Sequence, residues 1–182
     1  MKIVIYIISG IIGIIVLLLI IALFVKKAYV IERKVTINRP KEVVFDYIKY
    51  IGNSEKYSKW VMADPNSRRQ RIGADGTVGF IYKWDSDRKD VGKGEQEIVK
   101  IVEGESIDHE IRFIKPFEGK ANATMRTESA QNGTTVVIWT FSSAMNYPMN
   151  IMMLFMDFEK MLGSDMEISL QNLKAQLEEN QS

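Results

Sequence analysis

His109 is the first place to look for chemistry, because it is the chain's only histidine and it sits in an alternating stretch. Ile107, Ile111 and Phe113 share its side, while Asp108, Glu110 and Arg112 take the other. On an apolar face a lone imidazole either lines a core or cavity or acts as a general base, and the second role needs a carboxylate to orient it. The sequence identifies no inward carboxylate. Arg112 reads as a solvated charge on the outer face, and Glu95 and Glu97 as neighbours on a wet sheet surface instead of a paired acid and base. Leu162-Gly163-Ser164-Asp165 lacks the trailing glycine of a nucleophile elbow and falls within a helical period. Asp85, Asp87 and Asp90 echo a calcium loop, but Arg88 and Lys89 interrupt it, and Gln96 stands where a bidentate glutamate is needed. Gly92-Lys93-Gly94 is followed by a strand pattern, so no helix N-terminus is available to a phosphate. With no cysteine and one histidine, thiolate and multi-histidine metal sites are excluded, and neither metal nor cofactor is expected.

The softer side chains are more informative. Of ten methionines, seven lie between Met145 and Met166: Met145, Met149, Met152, Met153, Met156, Met161 and Met166. Methionine is flexible and polarizable, suited to filling gaps or to repacking around variable apolar partners. Met125, Met152 and Met156, with Trp60, Tyr82, Trp84, Trp139, Phe141, Tyr147 and Phe155, describe a cavity wall of aromatic and thioether groups with few polar anchors. His109 belongs to the same wall. Gly163 in mid-helix costs about 1 kcal/mol against alanine, which points to a close approach to a strand or to room left for a ligand. These twelve residues are the expected ligand-binding set, and His109 is the candidate for catalysis.

Two kinds of element must position them. From Ile3 to Val25 no ionisable group appears except the Tyr6 phenol, a run of 23 residues closed by Lys26 and Lys27. A bilayer core needs roughly 20 residues in helical form. A signal h-region of about 7 to 15 residues is shorter and ends on small residues. Residues 1–27 are therefore expected to be a transmembrane anchor, and 28–182 a single domain. Positive-inside counting, with Lys26, Lys27, Arg33 and Lys34 beyond the run against Lys2 and the amino terminus before it, favours the cytoplasmic side for the domain. The full chain has 24 basic and 23 acidic side chains, net +1, and without Lys2, Lys26 and Lys27 the remainder is about −2. Nothing here supplies the concentrated positive charge of nucleic-acid binding.

Within the domain, Tyr29 to Ile37 reads as a strand. Pro40 to Ile51 is an amphipathic helix opened by proline and ended by Gly52, and Ser54 to about Val61 a second short helix. From Arg68 to Ala144 the period changes to two. Turn signals divide that stretch into strands at 68–72, 77–84, 92–102, 106–114, 119–129 and 134–143. Ile151, Phe155, Phe158, Leu162, Met166, Leu170, Leu173 and Leu177 then step by three and four, a stripe that predicts one long helix over the apolar sheet face. The class is α+β: a curved antiparallel sheet wrapped around a long C-terminal helix, preceded by one transmembrane helix.

This order of elements resembles a known family. Ile37 to Ile48 (I-N-R-P-K-E-V-V-F-D-Y-I), the short helix with Trp60, F-I-K-P-F-E at Phe113 to Glu118 and N-Y-P-M-N at Asn146 to Asn150 are similar to the SRPBCC superfamily. Its members are helix-grip proteins of the START and pollen-allergen type. The nearest branch is that of bacterial polyketide cyclase/dehydrase-like proteins with an N-terminal anchor. The resemblance covers about Tyr29 to Leu177 and implies a hydrophobic cavity between sheet and helix, without by itself implying catalysis.

Three functions are consistent with these residues. The first is a membrane-anchored domain that binds or shuttles a lipophilic small molecule or lipid. The second is a cyclase/dehydrase-like enzyme using His109, Tyr82 or Tyr147. The third is a protein-interaction module, as in chaperone regulators of the same fold. An inward His109 bonded to an acid would favour the enzyme, a dry cavity the carrier, and a filled interior with an exposed apolar patch the interaction module.

Overall fold

The structure is a computed structural model that describes residues 2–179; Met1 of the expected anchor and residues 180–182 of the expected domain lie outside the described residues. Helix α1 (Lys2–Phe24) has 23 residues, 17 of them isoleucine, valine, leucine or alanine. At 1.5 Å per residue it is about 35 Å long, more than the roughly 30 Å of a bilayer's hydrocarbon core. Its one buried residue is Ala22, and it is the one helix among the described residues long and apolar enough to cross a membrane.

After a short linker come β1 (Ala28–Ile37), α2 (Lys41–Ile48), a 3-10 segment (Ile51–Lys56) and α3 (Lys59–Met62). Strands β2 (Arg68–Ile72), β3 (Ile81–Asp85), β4 (Lys93–Val102), β5 (Ser106–Lys115), β6 (Gly119–Ser129) and β7 (Thr135–Ala144) follow, then a second 3-10 segment (Met149–Leu154) and α4 (Phe158–Glu179). The seven strands form one antiparallel sheet in the order β1-β7-β6-β5-β4-β3-β2. A register shift between Ile98 and Lys100 in β4 marks a bulge, the device that bends a sheet. Helix α4 lies in the concave side, with Met166, Leu170, Leu173 and Leu177 buried against Ile31, Ile37 and Val137 of the sheet and Val44 and Ile48 of α2. This is the helix-grip fold.

Four sequence boundaries move. The predicted helix of Ser54 to Val61 is a 3-10 segment and a single turn of α-helix, and Pro40 to Ile51 shortens to Lys41–Ile48. The strand expected over 77–84 starts only at Ile81, because Gly76 and Gly79 both adopt positive φ, where the ladder cannot run. The C-terminal helix does not begin at Ile151. The segment from Met149 to Leu154 is 3-10, and α4 starts at Phe158 with the Asp157 carboxylate accepting the Lys160 amide at 2.9 Å, an N-terminal cap inside the apparent stripe. Ile151 and Phe155 match the helical period but sit outside the helix.

The second 3-10 segment also ties α1 to the domain. Asn150 is fully buried and its side-chain amide donates to the Ala22 carbonyl at 2.7 Å and the Val25 carbonyl at 3.0 Å. These are carbonyls that the end of a helix leaves without partners. We expect Asn150→Ala to strand them at a cost of about 1–3 kcal/mol. Hydrogen exchange should show faster exchange over 149–154 and the end of α1, with α4 unchanged.

Candidate functional site

Between the inner sheet face and the cover formed by α3, the first 3-10 segment and α4 lies a cavity of about 260 Å³. It falls just below the range of roughly 300–1,000 Å³ typical of drug-sized ligands. Alternation along the strands builds its wall. Tyr82 and Trp84 come from β3, His109, Ile111 and Phe113 from β5, Ala123 and Met125 from β6, and Trp139 and Phe141 from β7. Trp60 closes it from α3. The Trp60 ring meets Trp139 edge-on at 5.5 Å and Phe141 at 6.3 Å, while Trp84 meets Phe113 edge-on at 6.3 Å. A Cβ on Gly94 would lie 2.4 Å from the Trp84 ring and 2.7 Å from the Arg112 carbonyl oxygen, so the missing side chain lets the indole lie flat along β4. The depression beside Glu32, Lys34 and Glu167 is open and mixed in character, and another, between the end of α1 and Met153 and Leu154, is open and apolar.

Of the expected ligand-binding set, Trp60, Tyr82, Trp84, His109, Met125, Trp139 and Phe141 converge on this cavity. Tyr147, Met152, Phe155 and Met156 do not line it; they belong to the segment between β7 and α4, displaced by the late start of that helix. Gly163 is buried but faces β1, where a Cβ would lie 2.1 Å from the end of the Arg33 side chain, so the glycine marks a close approach instead of ligand space. Tyr57, Ser54 and Arg69 also line the cavity and stand outside the expected ligand-binding set. They sit on irregular backbone or the short strand β2, where periodicity carries no signal; for Tyr57, its aromatic character beside Trp60 was the available cue.

The polar groups are sparse and mostly committed. Tyr82 donates to Glu55 at 3.1 Å, and Glu55 is ion-paired with Arg69 at 3.0 Å and Arg71 at 2.6 Å. Burial alone would raise the Glu55 carboxyl, but the bonds from Arg71 and Tyr82 and the charge of Arg69 outweigh it and hold the group below the usual carboxylate range. Burial, then the Glu55 charge, push the Tyr82 phenol well up, and burial does the same to Tyr57, whose hydroxyl points at the Met125 sulfur at 3.8 Å. The Trp60 indole donates to Asp165 of α4 at 3.0 Å. Arg112 is tied on the outer face to Glu95, Glu97 and Glu110, so the acids that flank it in the sequence have a structural use.

His109 and Ser54 are the exceptions. Both are buried cavity-lining residues, and among the described residues neither the two ring nitrogens nor the serine hydroxyl has a hydrogen-bond partner. Burial drives the imidazole far down, to about 4, and the nearby Ala123 backbone and Asp108 carboxylate oppose this without making a hydrogen bond of good geometry to the ring. At neutral pH His109 is therefore uncharged. Asp108 lies on the other face and accepts from Thr124 at 2.7 Å. Buried polar groups are normally paired, and a pair left open toward a cavity is a place for a ligand's complementary atoms.

The rim of the cavity includes the exposed residues Ala63, Asp90 and Phe113. Ile48, Ile51, Tyr57 and Met125 at its far side are buried. The most exposed part of the lining is therefore on the side of Ala63, Asp90 and Phe113.

The family model for polyketide cyclase/dehydrase and lipid transport proteins matches residues 29–178. No curated protein matches the chain. Among solved structures, truncated norcoclaurine synthase from Thalictrum flavum is similar with a TM-score of 0.62 at 10% identity, over 85% of this chain and 96% of that one. Ara h 8.0201 gives a TM-score of 0.58 at 14% identity, over 84% and 99%. The Aha1 dimer from Colwellia psychrerythraea gives 0.58 at 16%, over 85% and 99%. At these identities the likeness is one of fold.

Proposed function

The chain belongs to the polyketide cyclase/dehydrase and lipid transport family, and we propose that it binds a small, uncharged lipophilic molecule in the helix-grip cavity while α1 holds the domain at a membrane. The observation that carries this reading is the cavity itself: an aromatic and thioether wall with two open hydrogen-bonding side chains, His109 and Ser54. Such a wall selects apolar shape, and the open pair suits one hydroxyl or carbonyl group on the ligand. The nearest cation, Arg69, is neutralised by Glu55 and also donates to the Val61 and Asp64 carbonyls, so it does not call for an anionic ligand. The lysines after α1 favour a cytoplasmic position for the domain.

The enzyme reading is less well supported by the same geometry. His109 has no carboxylate bonded to it among the described residues, and a neutral imidazole without an orienting partner is a poor general base. The space between sheet and helix also argues against a module that acts only through its outer surface.

Native mass spectrometry of the full chain released from lipid nanodiscs tests the proposal. A co-purified uncharged lipid adduct is expected on the wild type. Ala123→Leu places three extra carbons beside His109, opposite which Ala123 pairs across β5 and β6. It should reduce the adduct at least tenfold, equivalent to about 1.4 kcal/mol. An adduct that persists unchanged in Ala123→Leu would place the ligand elsewhere and defeat this reading.

A further inference from the structure

The strand register brings several separate segments to one end of the sheet. Ala28 pairs with Ala144, and Ala121 with Ser143, so the chain leaving α1, the start of β6 and the end of β7 lie together. Phe113 pairs with Gly119, Lys93 with Lys115 and Asp85 with Lys93, which adds the β5–β6 tip and the β3–β4 loop to the same end. The opposite end holds the turns with Glu103, Glu105 and Glu128.

Large apolar side chains are exposed at the α1 end. Phe117, at the β5–β6 tip, is 76% exposed; in the segment after β7, Phe155 is 76%, Leu154 56% and Met149 52% exposed. These belong to two stretches of chain far apart in sequence, and the second is the segment that Asn150 bonds to the last turn of α1. The Met145 amide adds a further bond to the Lys27 carbonyl at 2.7 Å. These bonds tie the segment after β7 and the linker before β1 to the end of α1. At this level Arg88 pairs with Asp90 within the β3–β4 loop, and Asp87 of that loop pairs with Arg68 of β2. The exposed cavity rim, Phe113 and Asp90, is at this end as well.

We propose that this end of the domain is seated in the headgroup and upper acyl layer of the bilayer that α1 crosses, with Phe117, Met149, Leu154 and Phe155 as its contacts and the cavity mouth opening onto the lipid. The inference rests on reading α1 as a bilayer span. Continuity with that helix names the occupant, because the patch begins where the apolar run of α1 gives way to Lys26 and Lys27. Aromatic and long aliphatic side chains at the interface, with paired charges above them, are the pattern of a surface-seated protein. A ligand taken from the membrane would then enter without crossing water.

The chain has no cysteine, so single labels can be placed cleanly. Phe117→Cys, Phe155→Cys, Glu105→Cys and Val16→Cys, each carrying a nitrobenzoxadiazole dye, are reconstituted as full chains into phosphatidylcholine and phosphatidylglycerol vesicles containing doxyl-labelled acyl chains. The dyes at 16, 117 and 155 should lose most of their emission, and the dye at 105 should keep it. Quenching at 16 with none at 117 and 155 overturns the seating and leaves the anchor standing. No quenching at 16 overturns the anchor, and the seating with it. Equal quenching at 105 and 117 also overturns it, since the domain would then have no preferred end toward the lipid.

Discussion

Lowering the pH from about 7 to about 4 is expected to cost the folded chain about 3 kcal/mol through His109 alone. The imidazole is pushed down to about 4 in the folded state by burial, whereas in the unfolded chain it titrates near 6.5. Between those values the unfolded state binds the proton and the folded state does not. Each unit of difference is worth about 1.4 kcal/mol. Stability from this group is therefore fully present above about 6.5 and is lost as the pH falls toward 4. Urea unfolding of the full chain in detergent micelles across this range, for wild type and His109→Gln, isolates the contribution as a difference of slopes. Glu55, whose carboxyl is held below its ordinary value, also loses its contribution on acidification, but it does so equally in both proteins. A slope unaltered by His109→Gln would mean that the ring is hydrated or partnered in solution.

Leu170→Ala should lower the unfolding free energy by about 2–5 kcal/mol, the range for deleting a buried leucine without collapse of the surroundings. Leu170 is 1% exposed and sits at the centre of the α4 stripe facing the sheet. Gln171→Ala, on the exposed side of the same helix, should stay within about 0.5 kcal/mol. Glu167 is not an equivalent control, because its carboxylate accepts the Arg33 guanidinium at 2.6 Å. Equal losses at Leu170 and Gln171, measured by the same urea unfolding, would show that α4 does not grip the sheet as described.

The parts of the fold that were legible in the sequence are those governed by periodicity. Alternation at Ile107, His109, Ile111 and Phe113 placed the imidazole inward, and the four-and-three spacing from Phe158 to Leu177 marked the buried stripe of α4, because side-chain direction in regular elements follows directly from residue spacing. Seven of the twelve expected ligand-binding residues meet in one cavity for this reason. Of the other five, Tyr147, Met152, Phe155 and Met156 fell where regularity ends, and Gly163 lies within α4. The stripe was read through Ile151 and Phe155 because period alone cannot detect that Asp157 caps a new helix, and Gly163 proved to accommodate Arg33, a partner 130 residues away on β1.

Net charge, the absence of cysteine and the apolar run to Val25 were likewise properties of the sequence by itself, since they depend on composition and local order alone. What required the tertiary structure was every relation between distant segments: that Glu55 neutralises Arg69, that His109 and Ser54 have no hydrogen-bond partners among the described residues, and that Asn150 holds the end of α1. The placing of the β5–β6 tip with Phe117 at the same sheet end as the start of β1 is of the same kind, because strand register decides which chain ends meet, and register is set by packing and turns across the whole sheet.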